Sequence, residues 1–345
     1  MSTSANDIQY LEDLATSYWK SEVLFSAVEM DIFSNLQEGA TLHEICSIFK
    51  CDPDFMKRFL DTLITLNLIE LSNGIYKNCK IANKCLIKDK EMYQGGSILW
   101  RKDLKKQWEC LTETLIKGKR IHYIPEDDEN ELIKRNRKYI SAMDAVIKEK
   151  ARSIVSMFKN VSLEGLILDV GAGSGAFSVE FLKAFPHMNA TLFDLENVIK
   201  IDKERYHDVN SIGYHVGNIL EEWTIEGEFD IIILSNIIHA YSETEVAHIL
   251  NQSIQHLTKD GYMVIHDFFM EHSTLKARLS DLNMMINTYN GKVFSGKWTC
   301  DHLEKVGMRT SGLISLEGDT GVIIATRTSK PLESLSIEEK AKITK

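Results

Sequence analysis

Apolar residues recur at helical spacing along the first part of the chain. Between residues 18 and 36 they fall at three- and four-residue intervals, which predicts one helix. Thr41-Leu-His-Glu44 has the pattern of a capping box, and Asp52-Pro53 places an N-cap before a proline at the first helical position. Two further helices are therefore expected, the second reaching Leu66.

Asn73-Gly74 separates two short apolar runs and predicts a hairpin after the three helices. Three helices and a hairpin make a winged helix, a fold that invites a DNA-binding hypothesis. The third helix, however, has two basic residues against three acidic ones between Asp52 and Leu66. A helix that enters the major groove should be basic or polar. Packing on a second subunit explains an exposed apolar surface of this module better, although a winged-helix regulator stays open.

The period of the pattern changes after Leu163. Apolar runs at residues 166–168, 190–193, 229–234 and 262–265 alternate with helical segments, which is typical of a parallel sheet covered on both faces. Residues 312–316 and 321–326 predict a closing hairpin, so one terminal strand should be antiparallel. Residues 95–160 are expected to be helical, with the acidic run at 125–131 as a solvated loop. The predicted fold class is therefore α/β, with a helical N-terminal domain.

Composition and charge argue against several classes of binding partner. The chain has 345 residues and a formal charge of −10, which argues against a nucleic-acid partner. No apolar run approaches the ~20 residues of a membrane span, and the N-terminus lacks the order of a signal peptide. The six cysteines form no CxxC, and the histidines show no metal-helix spacing. We expect a cytoplasmic chain that binds neither a membrane nor a metal.

A glycine-rich turn joins one predicted strand to a helix. Asp169 ends the strand, and Gly171-Ala-Gly173-Ser-Gly175 follows it. This spacing differs from a dinucleotide fingerprint, and a carboxylate there would repel a pyrophosphate and attract an amine. Asp194 ends the next strand, where it could accept hydrogen bonds from two ribose hydroxyls. Ribose hydroxyls, an ammonium group and no phosphate fit S-adenosylmethionine.

The sequence resembles the class I S-adenosylmethionine-dependent O-methyltransferases that act on small molecules, such as the caffeate, acetylserotonin and polyketide-tailoring enzymes. The resemblance runs from the winged helix to the final hairpin. It implies a Rossmann-like sheet, a homodimer, S-adenosylhomocysteine as the product, and a small organic acceptor methylated at a hydroxyl oxygen. The motifs that carry it begin at Asp169, Phe193, Val216, Leu234 and Asp281.

Residues that match the family motifs take their expected roles from the resemblance. The residues implied in cofactor binding are Asp169, Gly171, Ala172, Gly173, Gly175, Asp194, Leu195, Gly217, Asn218, Ile219, Ser235 and Asn236. The family usually has an aspartate where this chain has Asn218. An asparagine can still accept a hydrogen bond from the adenine amine through its side-chain oxygen.

His239 is the expected general base, because in the family a histidine here deprotonates the acceptor hydroxyl. It follows the fourth strand of the predicted sheet, at the edge where such folds bind ligands. It precedes Ser242-Glu-Thr-Glu245, which has the pattern of a capping box and predicts the start of the next helix. Asp267 matches an acid that orients this histidine. A second acid, common after the glycine at 291, is absent from Gly291-Lys-Val293. The acceptor could therefore be acidic already, or a thioether, thiol, nitrogen or carbon nucleophile; an inactive cofactor-binding protein is the other alternative.

The expected acceptor pocket has apolar walls. Its predicted residues are Trp100, Tyr139, Met143, Met284, Met285 and Asn287. Lys292 could pair with an acceptor carboxylate or lie in solvent. We expect a winged-helix-like dimerisation domain over residues 1–100, a helical linker and pocket lid over 101–160, the cofactor domain over 161–328 and a flexible tail over 329–345.

Overall fold

The structure is a computed structural model that describes residues 5–121, 129–272 and 274–337. The chain divides into two compact units, Met1–Leu104 and Lys105–Lys345. The predicted acidic loop at 125–131 lies mostly outside the described residues. None of the helices in the described ranges is long and apolar enough to cross a bilayer.

The N-terminal unit contains helices around a three-stranded sheet. Its helices are α1 (Ala5–Thr16), α2 (Tyr18–Glu29), α3 (Ile32–Asn35), α4 (Leu42–Phe49), α5 (Pro53–Thr65), α6 (Lys80–Cys85) and α7 (Gly95–Asp103). Its strands, β1 (Ala40–Thr41), β2 (Ile69–Ser72) and β3 (Ile75–Asn78), pair in the order β1-β3-β2. Asn73 and Gly74 form the predicted hairpin turn, both with positive φ.

A single helix over residues 18–36 was expected, and this prediction is wrong. The helix stops at Glu29, and Asp31 takes a left-handed conformation with φ 58° before α3 begins. The Asp31 carboxylate pairs with Lys88 at 3.0 Å. Because of this turn, Val28 on one helix and Phe33 on the next both pack into one core. In a continuous α-helix two residues five positions apart would point in different directions.

The C-terminal unit holds the large sheet. Its helices are α8 (Lys105–Glu109), α9 (Leu111–Lys117), α10 (Glu129–Ser156), α11 (Ala176–Ala184), α12 (Glu196–Arg205), α13 (Glu243–Gln255), α14 (Thr274–Asn287), α15 (Gly296–Lys305) and α16 (Ser329–Glu333). Its strands are β4 (Gly165–Val170), β5 (Met188–Asp194), β6 (Ile212–Val216), β7 (Phe229–Ser235), β8 (Leu257–Asp267), β9 (Arg309–Thr310), β10 (Ile314–Ser315) and β11 (Gly321–Thr326).

The strand order β10-β11-β8-β7-β4-β5-β6 confirms the predicted α/β sheet. Strands β4 to β8 pair in parallel, whereas β11 is antiparallel to β8 and to β10. Successive residues of β4 enter different cores, Ile167 on one face and Leu168 on the other. The chain leaves β4 in one direction and returns beside it as β7, and ligands bind at such a reversal.

The segment predicted to be a flexible tail begins with a short helix. α16 occupies Ser329–Glu333, and the Pro331 carbonyl accepts a hydrogen bond from the Tyr262 hydroxyl at 3.1 Å. Leu332, Leu335 and Ile337 pack against the core on one face of the sheet. These partly buried apolar side chains hold the beginning of the segment against the sheet.

Two helices begin with complete capping boxes at the predicted positions. One is Thr41 with Glu44, and the other is Ser242 with Glu245 at the start of α13.

We expect Ser242→Ala to lower the free energy of unfolding by about 1 kcal/mol, because α13 loses the acceptor for an N-terminal amide. Urea unfolding measures this. Ser47→Ala is the control, since Ser47 lies inside a helix and alanine there should be neutral or stabilising; equal destabilisation by both changes would contradict the cap.

Asp202 on α12 is fully buried, and no described side chain or backbone group bonds either carboxylate oxygen. Burial raises its pKa to about 8. The unfolded chain has an aspartate pKa of about 3.9, so between these two pH values the folded chain binds more protons. Stability should therefore fall as pH rises from about 4 to 8.

Asp202→Asn should flatten this pH dependence and stabilise the protein at pH 8 by on the order of 1–2 kcal/mol. Thermal or urea unfolding across pH 5–9 is the measurement. Asp208→Asn is the matched control, because the Asp208 side chain is largely exposed. An Asp202→Asn profile parallel to that of Asp208→Asn would refute the burial argument.

Candidate active site

The loops that follow β4, β5, β6 and β7 open into one cavity of about 300 Å³. Most residues predicted to bind the cofactor line it, and two residues predicted for the acceptor pocket do so as well. These are Asp169, Gly171, Ala172, Gly173, Asp194, Leu195, Gly217, Asn218, Ile219, Ser235, Asn236, Tyr139 and Met143. Gly175 is not among the lining residues; it is the N-cap of α11.

The glycine turn needs its glycines for two different reasons. Gly171, Gly173 and Gly175 all have φ between 57° and 65°, in the region that disfavours side chains. A Cβ on Gly171 would lie 2.2 Å from the Ile237 side chain, so this glycine allows close packing. A Cβ on Gly173 would meet only one atom, at 3.9 Å, so this glycine leaves space for a ligand near the backbone.

Asp194 ends β5 and holds the glycine turn in place. Its carboxylate accepts hydrogen bonds from the Gly173 amide at 2.9 Å and the Leu195 amide at 2.7 Å. Burial raises the pKa of Asp194, and these two amides oppose the rise. A carboxylate has about four lone-pair positions, so two remain for ribose hydroxyls.

Asp169 is buried beneath the turn rather than simply facing a ligand. Its Oδ2 accepts hydrogen bonds from the Ser178 hydroxyl at 2.8 Å and the Ser178 amide at 3.3 Å. Burial raises its pKa to about 7. Asp169 therefore anchors the first turns of α11 and lines the cavity, and its predicted contact with an ammonium group stays a prediction.

Asn218 is engaged in a turn. Its Oδ1 accepts a hydrogen bond from the Leu220 amide at 3.1 Å. The predicted adenine contact would use the second lone pair of this oxygen, and stays a prediction.

Asn236 has a left-handed backbone conformation that the sequence did not predict. Its φ is 55°, and its Oδ1 is buried with no hydrogen-bond partner among the described residues. It lines the cavity beside Ser235. An unpartnered buried acceptor, an open glycine turn and a strand-end carboxylate together suit a ligand with ammonium and hydroxyl donors.

His239 lies on a 3₁₀ turn, Ile238–Ala240, after β7. Its Nδ1 is 2.5 Å from Asp267 Oδ1, and its amide donates to Asp267 Oδ2 at 3.3 Å. Asp267 is completely buried, while the His239 side chain is 12% exposed. Because a carboxylate accepts, Nδ1 carries the proton in the neutral ring and Nε2 keeps its lone pair. His239 itself does not line the cavity, but Ile237 and Tyr241 on either side of it do.

The other predicted acceptor-pocket residues are placed as follows. Met284, Met285 and Asn287 lie on α14, and Trp100 lies on α7 of the N-terminal unit. The Asn287 amide donates to Asn283, whose side chain also accepts from the Trp108 indole. None of these four predicted residues lines the cofactor cavity, and their role in acceptor binding stays a prediction. Lys292 pairs with Glu243, so its charge is directed to α13.

Part of the cavity wall that α10 and Tyr241 supply was not predicted from the sequence, beyond Tyr139 and Met143. Asn136, Ile140 and Ile147 line it from α10, and Phe177 lines it from α11. Tyr241 is largely buried, which raises its pKa. Only the helical spacing around Tyr139 and Met143 signalled that α10 has an inward face. No group of three or more His, Cys, Asp or Glu side chains in the described ranges could hold a metal ion.

Comparison with known proteins identifies the family. The model for the O-methyltransferase domain matches residues 118–302, and the model for the O-methyltransferase dimerisation domain matches residues 12–88. This chain belongs to the O-methyltransferase family. The predicted family and enzyme class, an S-adenosylmethionine-dependent O-methyltransferase, are thereby confirmed.

The similarity of this O-methyltransferase to known proteins covers most of its length. It is 25% identical to 3-hydroxy-5-methyl-1-naphthoate 3-O-methyltransferase from Streptomyces sahachiroi, over 92% of this chain and 94% of that protein. It is 22% identical to acetylserotonin O-methyltransferase from Bos taurus, over 81% and 86% respectively. The fold is similar to that of human N-acetylserotonin methyltransferase in complex with S-adenosylmethionine, with a TM-score of 0.81, 19% identity and coverage of 95% and 99%.

Proposed function

We propose that this O-methyltransferase methylates a hydroxyl group of a small, largely apolar acceptor, with His239 as the general base. The observation that carries the proposal is the short contact between His239 Nδ1 and the buried Asp267 carboxylate. This contact leaves Nε2 as the acceptor atom, on a turn flanked by two residues of the cavity wall. The naphthoate enzyme, which acts on an aromatic hydroxyl by its name, supports an aromatic acceptor.

Each residue then has a defined task. S-Adenosylmethionine supplies an electrophilic methyl group when it is bound. Asp194 would accept hydrogen bonds from the ribose hydroxyls, Asn236 and Asp169 would hold the ammonium end, and the glycine turn would allow the cofactor to approach the backbone closely. Asp267 holds the imidazole in one tautomer. His239 Nε2 would take the hydroxyl proton as the acceptor oxygen forms its bond to the methyl carbon, while the bond between that carbon and sulfur breaks and S-adenosylhomocysteine leaves.

The test is turnover with a panel of acceptors. The full-length protein is incubated with S-adenosylmethionine and, separately, phenols and naphthols, hydroxy acids, thiols and thioethers, and S-adenosylhomocysteine is quantified. We expect product with one or more aromatic hydroxyls, together with an acceptor that is heavier by one CH₂ unit in the mass spectrum. Binding of the cofactor without turnover of any acceptor would favour an inactive, ligand-binding relative.

A thioether or another nucleophile that needs no deprotonation is the second candidate. The second acid that the resemblance implies is absent from Gly291-Lys-Val293, and Asp267 is the one carboxylate that bonds the His239 ring among the described residues. A base supported by one acid is weaker than one supported by two. Product from a thioether that is unaffected by His239→Ala would establish this alternative.

We also infer a homodimer that uses the N-terminal unit, in keeping with its dimerisation domain. Large apolar side chains are exposed there, including Tyr10, Leu11, Leu14 and Trp19. Sedimentation equilibrium should give twice the chain mass, and a DNA titration at low salt should show no binding.

The cytoplasm stays the predicted compartment. The six cysteines form no disulfide, as is usual for proteins of a reducing compartment.

A further inference from the structure

The segment 290–294 between α14 and α15, here called the strap, lies beside the turn that carries His239. A Cβ on Gly291 would lie 2.4 Å from the His239 carbonyl oxygen and 2.9 Å from the Ala240 carbonyl carbon. The Gly291 backbone is therefore in direct contact with this turn. Its φ is not positive, so glycine is required here for space and not for conformation.

Polar contacts fix the strap to the elements around His239. Asn290 donates to Glu245 at 3.3 Å, and Lys292 pairs with Glu243, both in the first turn of α13. At the other end, the Phe294 carbonyl accepts from the Met270 amide at 3.1 Å, just beyond Asp267. The strap thus spans from the helix that follows His239 to the strand end that supplies its acid.

Asp281 holds the middle of the strap from α14. Its Oδ1 accepts a hydrogen bond from the Val293 amide at 2.9 Å, across twelve positions of sequence. The Val293 side chain is buried, which fixes the same residue from its other side. Asp281 lies one turn before Met284, so this bond also ties the predicted wall of the acceptor pocket to the strap.

We propose that Asp281 is a positioning residue for His239 and acts through the Val293 amide and the Gly291 contact. The strap itself carries no carboxylate that could bond the imidazole, so its contribution to His239 is one of position. Asp281 sets how closely the strap packs on the His239 carbonyl, and this packing keeps Nδ1 on Asp267 and Nε2 toward the acceptor. The inference rests on the proposed role of His239 as base.

The experiment compares Asp281→Ala with Asp281→Asn in the full-length protein. An asparagine oxygen can accept from the same amide, whereas alanine cannot. We expect Asp281→Ala to lower kcat about tenfold with little change in the KM for S-adenosylmethionine, and Asp281→Asn to stay within about threefold of wild type. Asp301→Ala is the control, because it removes a carboxylate that pairs with Lys297 on α15.

A second readout needs no acceptor. Diethyl pyrocarbonate modifies accessible imidazole nitrogens, and mass spectrometry of the His239 peptide gives its rate at fixed pH. We expect Asp281→Ala to change this rate several-fold, while Asp281→Asn and Asp301→Ala leave it unchanged. This readout reports the placement of the ring even if no acceptor is turned over, so it separates a failure of this inference from a failure of the proposed function.

Gly291→Ala tests the same path if Asp281→Ala does not fold. It should reproduce the kcat loss and the changed modification rate, because its Cβ would overlap the His239 carbonyl oxygen and the Thr288 hydroxyl, each 2.4 Å away, and so displace the strap. Gly213→Ala is its control, since a Cβ there meets nothing closer than 3.7 Å. The inference is overturned if Asp281→Ala and Gly291→Ala behave like their controls, or if Asp281→Asn is as impaired as Asp281→Ala.

Discussion

We expect His239→Ala to lower kcat for methyl transfer to a hydroxyl acceptor by about 10²–10⁴-fold, the usual contribution of a general base. Without the imidazole, no group that accepts a proton remains on the turn between Ile237 and Tyr241. Cofactor affinity should change less than threefold, because His239 does not line the cofactor cavity. Steady-state kinetics with calorimetric binding of S-adenosylhomocysteine measures both quantities.

Two further variants make this result specific. Asp267→Asn keeps the shape of the acid but removes the charge that favours one tautomer and the imidazolium, so kcat should fall at least about tenfold. His207→Ala is the matched control, because His207 is largely exposed on a distant loop of the same unit. Turnover of His239→Ala equal to that of His207→Ala would remove the general-base role.

The second large effect is expected from Asp194→Ala, which should weaken S-adenosylmethionine binding by about 10²–10³-fold. Two charge-assisted hydrogen bonds to ribose hydroxyls, each worth about 1.5–3 kcal/mol, would be lost. The Gly173 and Leu195 amides would also lose their acceptor, so the glycine turn itself should loosen. Isothermal titration calorimetry with S-adenosylmethionine and S-adenosylhomocysteine gives the dissociation constants.

Asp194→Asn separates the two contributions. Its oxygen can hold one of the amides, so the turn should be less disturbed while ribose recognition is still weakened. Asp208→Ala is the control for loss of a carboxylate, since Asp208 lies exposed in the segment between α12 and β6. An affinity of Asp194→Ala within threefold of this control would show that Asp194 does not contact the cofactor.

Local signals in the sequence were sufficient for much of the fold. The N-cap at Asp52, the box at Ser242 and the hairpin at Asn73 each depend on a few neighbouring residues, and all three formed as predicted. The strand–glycine–helix run from β4 to α11 was equally local. Asp194 was located because a residue that ends a parallel strand must lie at the ligand edge.

Other features had no short-range signal. β6 was missed because it is an edge strand, and its central residues, Tyr214 and His215, are only half-buried, so the apolar pattern is weak. The break at Asp31 was missed because helical spacing continues on both sides of it. Asn236 has a positive φ although it is not a glycine, so the sequence did not predict it. Its buried side-chain oxygen, which has no hydrogen-bond partner among the described residues, was identified only from the folded cavity.

The sequence by itself predicted most strands of the large sheet and the glycine turn, because strand periodicity and short-range sterics act over a few residues. The family, and with it the expected roles of His239 and Asp267, came from motifs that resemble those of known O-methyltransferases. The tertiary structure alone decided which wall α10 supplies, how Asp169 is tied to Ser178, and that the strap at 290–294 rests on the His239 turn through Asp281. These contacts join residues far apart in the chain. Their geometry is set by the packing of whole helices on the sheet, which no local pattern of residues encodes.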